Sequence, residues 1–119
     1  MIELLLQAER LLVHGMVDQA ERLYRQAIET DPRNSIAMVG LARVALERGD
    51  DRAAYGLAAR ALAIDPENAA AQRLATRMGE VLRTRGEHVP DLAQAALNGV
   101  PGGSPTRKRG ILGRLRGRR

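Results

Sequence analysis

The chain has 119 residues, 45% apolar and 28% charged, enough for one domain with a modest core and not for two. No cysteine is present, which excludes a disulfide scaffold, a cysteine nucleophile and a thiolate zinc site, and suits a reducing, cytoplasmic setting. The net charge of +5 is unevenly placed: residues 1–106 carry twelve basic and fourteen acidic groups, whereas residues 107–119 carry seven basic groups and no acid.

Two aromatic residues, Tyr24 and Tyr55, stand against nineteen alanines and sixteen leucines, a composition that favours close-packed helices over a sheet. No run approaches the roughly 18 apolar residues of a membrane-spanning helix. Met1 to Leu6 carries Glu3 and no basic stretch, so no secretory signal is expected.

Compared with itself at an offset of 34, the chain pairs Ile2 with Ile36, Ala8 with Ala42, Leu12 with Leu46, Gly15 with Gly49, Ala20 with Ala54 and Leu23 with Leu57. Ala27 then pairs with Ala61, Asp31 with Asp65, Pro32 with Pro66 and Asn34 with Asn68. These are ten identities in 34 pairs, where about three are expected by chance. Each unit reads as two helices. The first helices, over 2–14 and 36–48, stop at Gly15 and Gly49, because glycine enters the left-handed conformation at a helix end without steric cost. Asp18 and the pair Asp50 and Asp51 then offer carboxylates to cap the second helices. On those helices Ala20 and Ala27, and likewise Ala54 and Ala61, lie two turns apart on one face. Pro32 and Pro66 close the second helices, and Asn34 and Asn68 are placed to cap the first helix of the next unit.

A helix, turn, helix unit of 34 residues with this Gly, Ala, Ala, Asp-Pro pattern resembles the tetratricopeptide repeat. The resemblance covers repeats 1–34 and 35–68 and the first helix of a third. It implies an all-α, right-handed α-solenoid of antiparallel helix pairs. In this chain Ala8 and Ala42 take the family's small position, and Leu41 its leucine. Tyr24 is its aromatic in the first repeat. Leu4 and Met38 replace the family's tryptophan, Leu11 and Ala45 its tyrosine, and Ala58 its second aromatic, which lowers core volume and implies a tighter stack.

The third unit breaks halfway, with Arg83 where the glycine belongs and His88 where the first packing alanine belongs. A longer first helix is expected, then a break at Gly86 and a short helix with Pro90 in its first turn. The apolar run Leu92, Ala93, Ala96 and Leu97 would cover the open end of the array. The repeat domain with its cap is therefore read as residues 1–97, followed by a Gly, Pro and Ser-rich linker at 98–106 and a basic tail at 107–119.

No catalytic constellation is found. His14, near the end of the first helix, suits bonding to terminal carbonyls, and His88 lies in a loop; neither has partners at metal-ligand spacing. A non-enzymatic protein without metal or cofactor is expected. The family resemblance implies a concave groove lined by the first helix of each repeat, holding an extended peptide or a helix of another protein. Carried over by position, its rows are Ile2, Ile36 and Ala70; Leu5, Val39 and Arg73; Glu9, Arg43 and Arg77; Leu12, Leu46 and Glu80. Arg43, Arg73 and Arg77 either grip carboxylates of a ligand or pair with Glu9, Glu47 and Glu80 as a solvated face. Leu5 and Glu9 occupy places that a carboxylate clamp for chaperone tails would give to basic or amide side chains. The partner expected is therefore an apolar segment with at most one acidic anchor.

The first helix has more apolar residues than one buried stripe requires, so a partner or a second copy is expected to cover part of it. In the tail, Arg107, Lys108, Arg109, Arg114, Arg116, Arg118 and Arg119 fit a solubilising end, a phosphate-driven contact with nucleic acid or ribosome, or attachment to an anionic membrane. Without an aromatic to stack on bases, nucleic-acid contact there would be unspecific in sequence. Two functions are consistent with these features: an adaptor acting through the groove, or a nucleic-acid- or ribosome-associated protein acting through the tail.

Overall fold

The computed structural model describes residues 1–98 and contains six helices and no strand among them. They are α1 (Ile2–Val13), α2 (Val17–Thr30), α3 (Ser35–Glu47), α4 (Asp51–Ile64), α5 (Ala69–Thr84) and α6 (Leu92–Asn98). Helices α1 and α2 form one antiparallel pair and α3 and α4 the next; α3 packs on α2, and α5 on α4.

The repeat is visible in the turns. Gly15, Gly49 and Gly86 all have φ near +80°, and the amide after each glycine reaches back into the helix it ends. Met16 donates to the Leu11 carbonyl at 2.9 Å, Asp50 to Ala45 at 2.9 Å and Glu87 to Leu82 at 3.0 Å. This closes orphan carbonyls with the chain's own backbone. The expected break at Gly86 is where α5 ends, because the third turn uses the same device three residues later than the period places it. At the other ends, Asn34 accepts from the Ala37 amide at 2.9 Å and Asn68 from Ala71 at 3.0 Å, each satisfying one unpaired amide of a first turn. Asp50 does the same for Ala53 at 3.1 Å.

Asp18 does not cap its helix. α2 starts at Val17 behind Met16, which makes no side-chain cap, so Asp18 already lies inside the first turn and its carboxylate bonds Arg48 instead. Asp51 is likewise inside the first turn of α4, where it pairs with Arg85.

Ala8, Ala20, Ala27, Ala42, Ala54 and Ala61 are fully buried, and the helices approach closely over them. One cluster joins α1, α2 and α3 around Tyr24 and Leu41; a second joins α3, α4, α5 and α6 around Tyr55, Met78 and Leu82. Met38, Val39, Ala61 and Ala71 form a third. Leu57 touches all three, so the stack is one continuous core.

The short last helix differs from expectation in what it covers. α6 packs against α4, held by a 2.8 Å bond from the Tyr55 hydroxyl to the Pro90 carbonyl and one of 2.8 Å from Arg52 to the His88 carbonyl. Pro90 lies before the helix, and Asp91 caps it by accepting from the Gln94 amide at 2.8 Å. Leu92 and Leu97 are exposed while Ala95 is buried, so the apolar run presents its small residues inward. The outer face of α5 needs no apolar cover because it is polar, with Gln72, Arg73, Thr76, Arg77, Glu80 and Arg83 all exposed. That is how a terminal unit of a repeat array stays hydrated.

Candidate functional site

The first helices α1, α3 and α5 carry the expected rows, and the structure sorts them by exposure. Ile2 and Ile36 project into solvent, 71% and 62% exposed, and Ala70 is exposed beside them in the same row. Leu5 and Leu46 are half-buried. Leu12 and Val39 are core residues instead, 6% and 7% exposed, because each lies on the side of its helix that meets the neighbouring elements. They shape the wall from beneath and do not line it.

The charged row divides. Arg43, half-buried, donates to the Glu9 carboxylate one repeat away at 3.1 Å, so this pair is a solvated cross-repeat contact. Arg73 and Arg77, one turn apart on α5, are exposed and make no hydrogen bond or ion pair among the described residues. The wall therefore runs from apolar Ile2 and Ile36 on α1 and α3 to two unengaged guanidiniums on α5. Such guanidiniums offer the planar, bidentate geometry that carboxylates accept.

A cleft that no motif in the sequence announces lies between α2, α3, α4 and α6, with a volume of about 730 Å³. Its floor includes Tyr55 and Leu57, and Glu21, Arg25, Arg48 and Arg52 stand around it. Those charges are already paired. Glu21 accepts from Arg25 at 2.8 Å and from Arg48 at 2.8 Å, and Arg48 also holds Asp18. Burial pushes the Glu21 carboxyl up, but the bonded guanidiniums of Arg48 and Arg25 outweigh it and hold it below the usual carboxylate range. Arg48 and its counterpart Arg85 close α3 and α5, and each reaches back to an acid in the first turn of the preceding helix, Asp18 or Asp51. Arg48 and Arg85 stand 37 residues apart and Asp18 and Asp51 stand 33 apart, so neither recurs at the offset of 34, which is why self-comparison does not reveal the pattern.

His14 donates from Nδ1 to the Arg10 carbonyl at 2.8 Å, which places it at the end of α1 as a cap. His88 is exposed, and its backbone carbonyl accepts from Arg52. The basic groups at 107–119 and residues 99–106 of the linker lie outside the described residues, and Asn98, read as the first linker position, is the last residue of α6. No described helix is long and apolar enough to cross a membrane.

Helix pairs stacked at a 34-residue period, with one helix of each pair contributing to a common wall, define an α-solenoid. A family model described as tetratricopeptide repeat matches residues 11–78, more than half of the chain, and the chain belongs to that family. Repeats of this family generally mediate protein–protein interaction. Comparison with curated proteins and with solved structures gave no match.

Proposed function

We propose that this chain is a non-enzymatic adaptor whose wall of first helices holds a peptide or helix of another protein. The observation that supports this reading is the contrast along the wall. Exposed Ile2 and Ile36 offer apolar contact at one end, while Arg73 and Arg77 offer unengaged charge at the other. A matching partner segment is apolar with one acidic anchor near the α5 end. A cytoplasmic location belongs to the same proposal and rests on the absence of cysteine.

The charge of residues 107–119 supports a second reading, in which the tail contacts a polyanion through phosphates and the repeats localise it. Affinity capture with mass spectrometry, repeated with Arg73→Ala plus Arg77→Ala and with a chain lacking residues 107–119, separates the two. The adaptor reading expects partner capture to survive loss of the tail and to fall with the double substitution. Capture that depends on the tail alone, and disappears at high salt, favours the polyanion reading.

A further inference from the structure

The outward face of α1 carries a further apolar surface that shares Ile2 with the wall and runs beyond it to Leu6 and Val13. Ile2, Leu6 and Val13 fall within about 40° of one another around the helix and are 71%, 54% and 69% exposed. Met1 and Met16, which flank the helix at its two ends, are also exposed. Five of the eight exposed large apolar side chains among the described residues thus lie within residues 1–16. Leu6 and Val13 are in no row of the wall.

The stripe's flanking charges say what fits it. Glu3 and Arg10 are seven residues apart, two turns, so they lie on one edge of the stripe at nearly the same angle. Both are exposed, and neither forms a hydrogen bond or ion pair through its side chain among the described residues. A second α1 laid parallel about a two-fold axis would set the Glu3 and Arg10 edge of each copy against the opposite, Glu9-bearing edge of the other, so Glu3 would not meet Arg10. Laid antiparallel about a two-fold axis near residues 6 and 7, it sets Glu3 against Arg10 twice, because residue n then faces residue 13 minus n. Shifting the axis by one residue brings Ile2 of one copy opposite Val13 of the other and offsets Glu3 from Arg10 by two residues, about 3 Å, which an arginine side chain spans. On the opposite edge the Glu9 carboxylate is held by Arg43.

We infer that this chain self-associates through α1 as an antiparallel two-fold pair, with Ile2, Leu6 and Val13 buried between the copies and Glu3 of each paired with Arg10 of the other. A two-fold contact uses the same patch on both subunits, as a self-complementary stripe requires. A twelve-residue helix is about 18 Å long, which puts this interface at or below the lower end of specific interfaces, about 1,200 Å² in total. The dimer is therefore weak, with dissociation constants of tens of micromolar rather than nanomolar.

Sedimentation velocity of the full chain over about 5 to 500 μM brackets that range. The expected result is a reversible monomer–dimer transition. Leu6→Gln, or Ile2→Gln as a second apolar variant, abolishes it while the helical circular dichroism stays unchanged. Glu3→Arg alone, or Arg10→Glu alone, turns both symmetric contacts repulsive and weakens dimerisation about tenfold or more, and the two together restore it to within about threefold. A chain that stays monomeric throughout overturns the proposal. So does a dimer indifferent to Leu6→Gln, or one in which the charge reversals have no effect.

Discussion

The ring of Tyr24 occupies the space that a side chain on Gly40 would need. A Cβ built on Gly40 would lie 2.2 Å from Tyr24 Cε1 and 2.4 Å from two further ring atoms. Tyr24 is 2% exposed, so α2 and α3 meet through a buried ring laid on bare backbone. Tyr55 treats α5 more loosely: a Cβ on Gly79 would meet Tyr55 Cε1 at 3.4 Å and the Arg83 guanidinium at 3.3 Å.

Two glycines in helix interiors should therefore respond oppositely to the same change. Alanine favours a helix over glycine by about 1 kcal/mol, and an overpacked core site costs about 1–3 kcal/mol. At Gly40 the buried ring cannot yield, so Gly40→Ala is expected to destabilise by about 1–2 kcal/mol net. At Gly79 the nearest atom is the end of a flexible arginine, so Gly79→Ala is expected to be neutral or to stabilise by up to about 1 kcal/mol. Urea midpoints of the two variants check this, and adding Tyr24→Leu to Gly40→Ala should recover part of the loss by removing the ring. Equal effects at both glycines contradict the packing argument.

The period of 34 was legible because it is written in backbone chemistry: glycine where φ is positive, asparagine where an amide needs an acceptor, alanine where helices touch. Gly40 and Gly79 were not, because a close approach between helices depends on which side chain sits opposite, and neither glycine recurs at the repeat offset. Family positions named the rows of the wall, but a position does not report depth, and Leu12 and Val39 belong to the core. Arg43 could be read either as a ligand contact or as a partner for Glu9, and the structure shows it bonded to Glu9 at 3.1 Å. The cleft beside α6 depends on α6 packing on α4, for which the last helix carries no periodic signal.

Asn34 and Asn68 are equivalent in the repeat but not in what they hold. Both cap the next helix, a role whose loss to alanine costs about 1 kcal/mol. Asn68 also donates from its amide nitrogen to the Ser35 hydroxyl at 3.1 Å, joining the start of α5 to the start of α3. Asn68→Ala is expected to cost more than Asn34→Ala, by about 0.5–1 kcal/mol for the second bond. Ser35→Ala should remove most of that difference in a double-mutant cycle.

Glu21 makes the α2–α3 contact pH-dependent. Its carboxyl titrates below its ordinary range, since bonding to Arg48 and Arg25 outweighs burial. A carboxyl lowered in the folded state contributes stability above its unfolded value, about 4.3, and loses it as pH falls through the lowered folded value. Glu21→Gln is therefore expected to be less stable than the parent by about 0.5–1 kcal/mol at pH 7. The two should converge as pH is taken from 5 towards 3. Urea midpoints at several pH values give the comparison, and a gap that stays constant over that interval rules this role out.

The hydroxyl of Tyr55 ties the segment after α5 to the body of the stack, donating to the Pro90 carbonyl at 2.8 Å. Burial raises the phenol above its ordinary value, so it stays protonated and a donor throughout the neutral range. Tyr55→Phe keeps the ring against Gly79 and removes only the donor, leaving a half-buried carbonyl unpaired at a cost of about 1–2 kcal/mol. The loss should be local, because α6 adds a single buried side chain, Ala95, to the core. Hydrogen exchange in residues 92–98 is therefore expected to quicken about tenfold while amides in α1 to α4 keep their rates. Uniform quickening across all the helices would instead mean that Tyr55 and Pro90 stabilise the whole stack as one cooperative unit.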